Sequence, residues 1–321
     1  MISAMGIIDS HFHLGVGGFT VEKTIRYMDK NGIDACWLLT WEEVAPGLWP
    51  YHYLPVHDVV AAYERYPDRI VPFYAPDPQR TDAAETLQCW HSRGIRGCGE
   101  LKSTLGWDTP GVQSLLDAAD SLRIPVVFHM EEGGYREAPF SPSLFDRALI
   151  LGKTTEHPAL RLPQQLLRLL VERYQPLRDR KRSYVFPGYM LDFAALECAL
   201  KGRPLISFVA HGPMFWKHIG AHVGHGTRKY PRGKVVEEGI VWRLLREHDN
   251  LYADVSAKSG FNALSRDRDT ARRFLTEMSG KVLYATDNVF KHQREFIDSL
   301  GLEKPALEAI LGGNARRIMR L

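Results

Sequence analysis

The sequence predicts an α/β fold, a (β/α)8 TIM barrel, on three observations. Short apolar runs alternate with amphipathic stretches from one end of the 321 residues to the other. Eight such units can be counted, and parallel strands need covering crossovers of this kind. Third, the competing doubly wound sheet wants a phosphate-binding glycine loop, whereas Gly15-Val16-Gly17-Gly18 lacks the acidic partner on the second strand that would complete one.

The expected strands are Ile7–His13, Ala35–Thr40, Ile70–Tyr74, Ile95–Leu101, Pro125–His129, Leu205–His211, Leu251–Val255 and Val282–Thr286. Between the first five lie helical patterns with clear stops: Val21–Asn31 before Gly32, Val56–Tyr66 before Pro67, Ala83–Arg93 before Gly94, and Gly111–Leu122 opened by Pro110. Further helices are expected at Leu191–Lys201, Val235–His248, Asp269–Met278, Gln293–Leu300, Pro305–Leu311 and Asn314–Leu321. One interval breaks the rhythm. Residues 131–204 form a long excursion after the fifth strand, rich in proline and arginine, and read either as a lid-like insertion on the catalytic face or as a solvated helical excursion. It accounts for the length beyond the roughly 250 residues usual for the fold, so residues 1–321 are expected to be a single domain.

Composition narrows the function classes. Lys and Arg total 41 against 38 Asp and Glu, a formal charge of +3 without a basic stripe, so nucleic acid is not an expected partner. There is no apolar run long enough to span a membrane and no basic leader, which makes the cytoplasm the expected compartment. Cys36, Cys89, Cys98 and Cys198 show no metal-type spacing and are expected to be reduced, mostly buried thiols.

The chemistry-bearing residues fall at strand ends. In Asp9-Ser10-His11-Phe12-His13 the alternate residues share one face of a strand, offering a metal two imidazoles with a carboxylate beside them. An isolated His-x-His reads equally well as a structural pair. Recurrence decides it: His129 and His211 close two further strands and Asp287 follows the last, and the carboxyl ends of barrel strands converge on one face. Glu100 and Lys102 share a face at the fourth strand end, where Gly97 and Gly99 leave room for close approach; the other reading is a rim ion pair. Asp254 and Ser256 share a face at the seventh, as pocket lining or as a rim hydrogen-bonded pair. Trp41, Trp49, Tyr51, His52 and Tyr53 either wall a pocket or cover the rim. His218, His222 and His225 would share a helical face, but the glycines around them favour a loop over the active-site mouth.

The wording Ile8-Asp9-Ser10-His11-Phe12-His13, with Tyr284-Ala285-Thr286-Asp287 and the closing Gly313-Asn314-Ala315-Arg316-Arg317-Ile318, resembles the amidohydrolase superfamily, and within it the amidohydrolase-2 branch that includes aminocarboxymuconate-semialdehyde decarboxylase. The resemblance spans nearly the whole chain except residues 131–187. It implies His11, His13, His129 and Asp287 as metal ligands, with His211 catalytic or a ligand to a second ion. Gly99-Glu100 is similar to the metal-dependent deoxyribonuclease branch and adds Glu100 to the metal set. The expected cofactor is a divalent metal, one or two ions, zinc first and manganese second.

The expected activity is metal-dependent hydrolysis of a C–N or C–O bond (amide, lactone or ester) in a small molecule, with Asp287 and His211 catalytic. The alternative is non-oxidative decarboxylation of a small aromatic or unsaturated acid, which needs a cationic clamp; Lys102, Arg136 and Lys258 are candidates. Lys102, Trp41 and Arg136 are the expected substrate contacts. A non-catalytic ligand-binding barrel is the alternative of another class. The expected partner is a small-molecule substrate, with self-association into a homo-oligomer left open.

Overall fold

The computed structural model describes residues 6–42, 54–139, 181–224, 227–288 and 292–320, with backbone only for 135–139 and 181–187. In chain order β1 (Ile7–Phe12) is followed by α1 (Val21–Asn31), β2 (Ile33–Leu38), α2 (Val56–Arg65), β3 (Ile70–Pro72), α3 (Ala83–Ser92), β4 (Cys98–Leu101), α4 (Pro110–Leu122) and β5 (Val126–His129). Local chemistry sets these bounds. Thr20 Oγ1 accepts from the Lys23 amide at 3.3 Å to open α1, and Gly32 closes it in the left-handed region at φ 63°. Pro110 occupies the first turn of α4, where its missing N–H costs nothing.

After β5 an antiparallel ribbon leaves the barrel: β6 (Glu131–Pro139) pairs with β7 (Lys181–Tyr189), Glu131 opposite Tyr189. The chain then resumes with α5 (Phe193–Gly202) and β8 (Phe208–His211). The carboxyl-terminal part of the expected excursion is therefore an ordinary barrel crossover. Residues 140–180 lie outside the described residues, as do Trp49, Tyr51, His52 and Tyr53. The remaining elements are α6 (Pro213–Lys217), α7 (Ile240–Glu247), β9 (Leu251–Asp254), α8 (Ala257–Ser265), α9 (Arg268–Glu277), β10 (Val282–Leu283), α10 (His292–Ser299), α11 (Lys304–Glu308) and α12 (Asn314–Met319).

Two parallel sheets, β1-β2-β3 and β10-β9-β8-β5-β4, are joined at both seams. Phe73 bridges Gly97, with the Tyr74 amide donating to the Gly97 carbonyl at 3.0 Å. At the other seam the Ser10 amide donates to Tyr284 O at 3.0 Å and the Asp287 amide to His11 O at 2.9 Å, so the strands run round a ring. Alternate strand residues point inward, and Ile8, Trp37, Leu39, Phe73, Val127, Val209 and Leu283 form one fully buried interior cluster. Phe128, Phe208, Leu251 and Val282 point outward into the layer shared with the helices. Gly99 is required here: a Cβ on it would lie 2.8 Å from Val127 Cβ.

Two helices, α6 and α8, were not expected from the sequence, and α7 starts five residues later than its apolar pattern. Gly239 explains the delay, because the backbone of His218 and Gly220 passes where its Cβ would sit. Cys36 and Cys98 are buried as expected, but Cys89 and Cys198 are exposed, on the solvent sides of α3 and α5; all four are free thiols. Among the described residues no helix is long and apolar enough to cross a membrane.

Candidate metal centre

The carboxyl ends of β1, β4, β5 and β8 and the turn after β10 bring His11, His13, Glu100, His129, His211 and Asp287 into one cluster. Ligand-type atoms of His11, His13 and Glu100 lie within 4.8 Å of one another, as do those of His11, His211 and Asp287, and those of Glu100, His129 and His211. All but His129 and Asp287 are almost wholly buried; the Asp287 side chain is 27% exposed, which makes it the carboxylate of this set that meets solvent.

Hydrogen bonds fix how the rings face. His13 Nδ1 lies 2.8 Å from the Leu39 carbonyl, which can only accept, so the proton sits on Nδ1. His11 Nδ1 lies 2.9 Å from Asp254 Oδ2, and His211 Nδ1 lies 3.0 Å from Asp254 Oδ1. One carboxylate thus orients two imidazoles, the arrangement by which outer carboxylates hold metal-binding histidines. Ser256 backs it, its amide and hydroxyl both donating to Asp254 Oδ1 at 3.0 and 2.5 Å. The Nε2 atoms of His11 and His13 are then turned toward each other at 3.1 Å. Two lone pairs at that distance repel unless a cation or a proton lies between them. Glu100 Oε2 is buried and lies 3.6 and 3.4 Å from these nitrogens, with the Lys102 ammonium at 2.9 Å on its other side, and Asp287 Oδ1 lies 4.0 and 3.3 Å away. This mixed imidazole and carboxylate set fits a divalent cation of the zinc or manganese kind.

The charges respond to that geometry. Burial acts to lower the His11 pKa, but Asp254 and Glu100 outweigh it and draw it well above the ordinary imidazole value, so without a cation a proton takes its place. Burial acts to raise Asp254, yet His211 and His11 hold it well below the usual carboxylate range. Burial keeps His211 below the ordinary imidazole value, and therefore neutral near pH 7. Burial opposes ionisation of Asp287, and its hydrogen bond to His13 and the charges of the histidines overcome it.

Other residues fall into place around the cluster. Lys102 Nζ lies 2.9 Å from Glu100 Oε2 and 3.4 Å from the centre of the Trp41 ring, so Lys102 and Trp41 form one wall of the site. Trp41 in turn meets His13 edge to face at 4.9 Å. Arg136 is on β6, but its side chain lies outside the described residues. Lys258 lies over the Tyr230 ring at 4.7 Å. His218 caps the short α6 with Nδ1 on Met214 O, and His222 is exposed, 3.3 Å from Glu237; they do not share a helical face, and His225 lies outside the described residues.

Three features were not legible beforehand. Asp9 turns away from the histidines: its carboxylate accepts from the Thr286 amide at 3.0 Å and the Thr286 hydroxyl at 2.5 Å, and burial pushes its pKa up to about 7. The cause is an irregular register between Asp9 and Phe12 in the β1–β2 ladder, which breaks the simple alternation. His129 is held through both nitrogens, by Glu100 Oε1 at 2.7 Å and by Glu131 Oε2 at 3.2 Å, so it must release a carboxylate to bind a metal. Asn288 clamps the His13 backbone from both sides, accepting its N–H at 2.7 Å and donating to its carbonyl at 2.7 Å. No periodicity marks Glu131 or Asn288. The Asp at the end of β9, two residues before a serine, was the available signal for Asp254.

No family model and no curated protein matches the sequence. Solved structures do match the fold over its whole length. An uncharacterised TIM-barrel protein from Bordetella bronchiseptica aligns with TM-score 0.57 at 15% identity, covering 98% of each chain. A 2,6-dihydroxybenzoate decarboxylase from Rhizobium aligns with TM-score 0.53 at 16% identity, covering 98% of this chain and 99% of the other. A probable 2-pyrone-4,6-dicarboxylic acid hydrolase from Acinetobacter baumannii, holding citric acid, aligns with TM-score 0.51 at 14% identity, covering 99% and 100%.

Proposed function

We propose that this protein is a metal-dependent enzyme of the amidohydrolase-2 kind that hydrolyses a C–N or C–O bond, as in an amide, lactone or ester, of a small molecule. The observation that carries the reading is the facing pair of Nε2 atoms on His11 and His13, 3.1 Å apart and flanked by the carboxylates of Glu100 and Asp287. His11, His13, Glu100 and Asp287 would hold one ion, zinc or manganese, with His129 and His211 at its edge and within reach of a second. When bound, such an ion polarises a carbonyl oxygen and makes a water acidic near neutral pH.

The protein's own groups account for the rest. Asp287, ionised and open to solvent, is placed to take a proton from the attacking water and return it to the leaving group. His211, neutral and locked by Asp254 and Ser256, presents Nε2 to the site, where it positions the reacting group or, once protonated, steadies a developing oxyanion. Lys102 and Trp41 supply a cation and an aromatic face for the substrate. The relevant partner is a small-molecule substrate.

Decarboxylation is the second reading. Lys102 is a cation beside the cluster that suits a substrate carboxylate, and several of the solved structures of this fold are decarboxylases.

Metal analysis of protein purified without chelators is the deciding measurement. Stoichiometric zinc or manganese is expected in the native protein and its loss in His11→Ala and His13→Ala, with the circular dichroism of the barrel unchanged. A protein that takes up no stoichiometric ion after incubation with either metal would overturn the reading. Asp287→Asn is expected to abolish turnover. Release of carbon dioxide from a panel of aromatic acids, against ring opening of lactones, separates the two reactions.

A further inference from the structure

A polar cavity is lined by residues none of which belongs to the metal cluster. Residues 220–223, Arg228, Arg232, residues 234–237 and Arg266, at the carboxyl end of α8, line a cleft of about 560 Å³, within the range of small-molecule sites. Its lining is strongly cationic: Arg228, Arg232, Lys234 and Arg266, against the single carboxylate of Glu237, which is paired with His222 at 3.3 Å.

None of the four cations has an ion-pair partner within 4 Å among the described residues. Arg266 is the telling one. It is recessed while the other three are exposed, and its Nε is buried without a hydrogen-bond partner. A buried donor left unpaired is destabilising, the more so when charged, so such a group points to a missing acceptor. The neighbouring Asp267 offsets part of the charge, but its carboxylate is engaged elsewhere: it accepts from the Val235 amide at 3.0 Å and from the Thr270 amide and hydroxyl at 3.3 and 2.9 Å. Gly220 leaves space for the guanidinium, since a Cβ there would approach Arg266 Nη2 to 3.3 Å. Burial draws the guanidinium pKa down, as expected of a charge awaiting a counter-ion.

We propose that this cleft binds a small polyanion, a multiply charged phosphate or carboxylate, with Arg266 at its floor and Arg228, Arg232 and Lys234 at its rim. Guanidinium groups present paired N–H donors that match the oxygens of either anion, and the rim charges draw it in from solution. No residue that lines it belongs to the metal cluster.

Calorimetric titration of the metal-loaded protein with inorganic pyrophosphate and, separately, with tricarballylate tests this. Binding that weakens with added salt is expected. Arg266→Gln should weaken it by about tenfold or more, equivalent to about 1.4 kcal/mol, and the doubly substituted Arg232→Gln/Lys234→Gln, confined to an exposed loop, should do likewise. His13→Ala, which disables the metal cluster, should leave it unchanged. Binding of one anion alone upholds the site and fixes its chemistry. The proposal is overturned if neither anion binds at millimolar concentration, or if binding survives both sets of cleft substitutions.

Discussion

Asp254 carries more of the site than its burial suggests. Each of its oxygens receives a histidine N–H, from His11 at 2.9 Å and His211 at 3.0 Å, and that is what turns both Nε2 atoms inward. An asparagine in its place has one carbonyl oxygen, so it can accept from one ring and must present an N–H to the other. Asp254→Asn is therefore expected to fold normally but to lower metal affinity about 10–100-fold, read by competition with a chromogenic chelator. Unchanged affinity would show that the histidine orientation is set elsewhere. Asp287 and Asn288 carry a different kind of constraint. Both sit in the left-handed region, at φ 51° and 63°, a conformation that Asp and Asn tolerate better than most residues, and hydrogen bonds to the backbones of His11 and His13 hold them there. The sequence displayed Asp287 as a residue after a strand, but not this turn, because its conformation depends on contacts more than 270 positions away.

Among the elements, α9 offers a clean test of local design. Asp267 precedes it, caps it through the Thr270 amide, and also anchors Val235 of the preceding long loop. Burial opposes its charge, but these hydrogen bonds prevail and hold its pKa below the ordinary value. A carboxyl with a depressed folded-state pKa stabilises the fold above its unfolded value of about 3.9 and loses that contribution as the pH falls through the lower folded value. Asp267→Ala should thus cost about 1–2 kcal/mol at neutral pH, with the gap between the two melting curves narrowing below about pH 4. A gap that stays constant down to pH 2 or so would separate the cap from the charge. Elements whose ends are written in local chemistry were legible from sequence: α1 runs between Thr20 and Gly32 as expected. Those fixed by distant backbone were not. α7 begins only at Ile240 because Gly239 is pressed against His218 and Gly220, and α8 lies in a stretch whose small residues leave little helical periodicity.

On the scale of the whole molecule, the cluster draws on strands from both halves of the ring, with β1 and the turn after β10 meeting at one seam. An ion bound there would favour the closed ring over every open form. A ligand present at a thousandfold over its dissociation constant stabilises the native state by about 4 kcal/mol, so removal of the metal by a chelator should lower the melting temperature by several degrees, reversibly on adding zinc or manganese. The same treatment of His13→Ala should change nothing. The convergence of His11, His129, His211 and Asp287 could be read from the sequence because a barrel gathers its strand ends on one face. The ribbon of β6 and β7, which brings Glu131 onto His129, could not, since it lies where the barrel rhythm is interrupted.

The stacking of Lys102 on Trp41, with His13 at the edge of the same indole, gives the protein an optical reporter of its own. The emission of an indole shifts with the electric field across its ring, and here that field is set by an ammonium 3.4 Å from the ring centre and by an imidazole of the cluster. Loading the site places a charge behind His13, and an anionic substrate on Lys102 offsets the ammonium, so either event changes that field. The fluorescence difference between the native protein and Trp41→Phe should therefore follow occupancy in real time, without a label and without knowledge of the substrate.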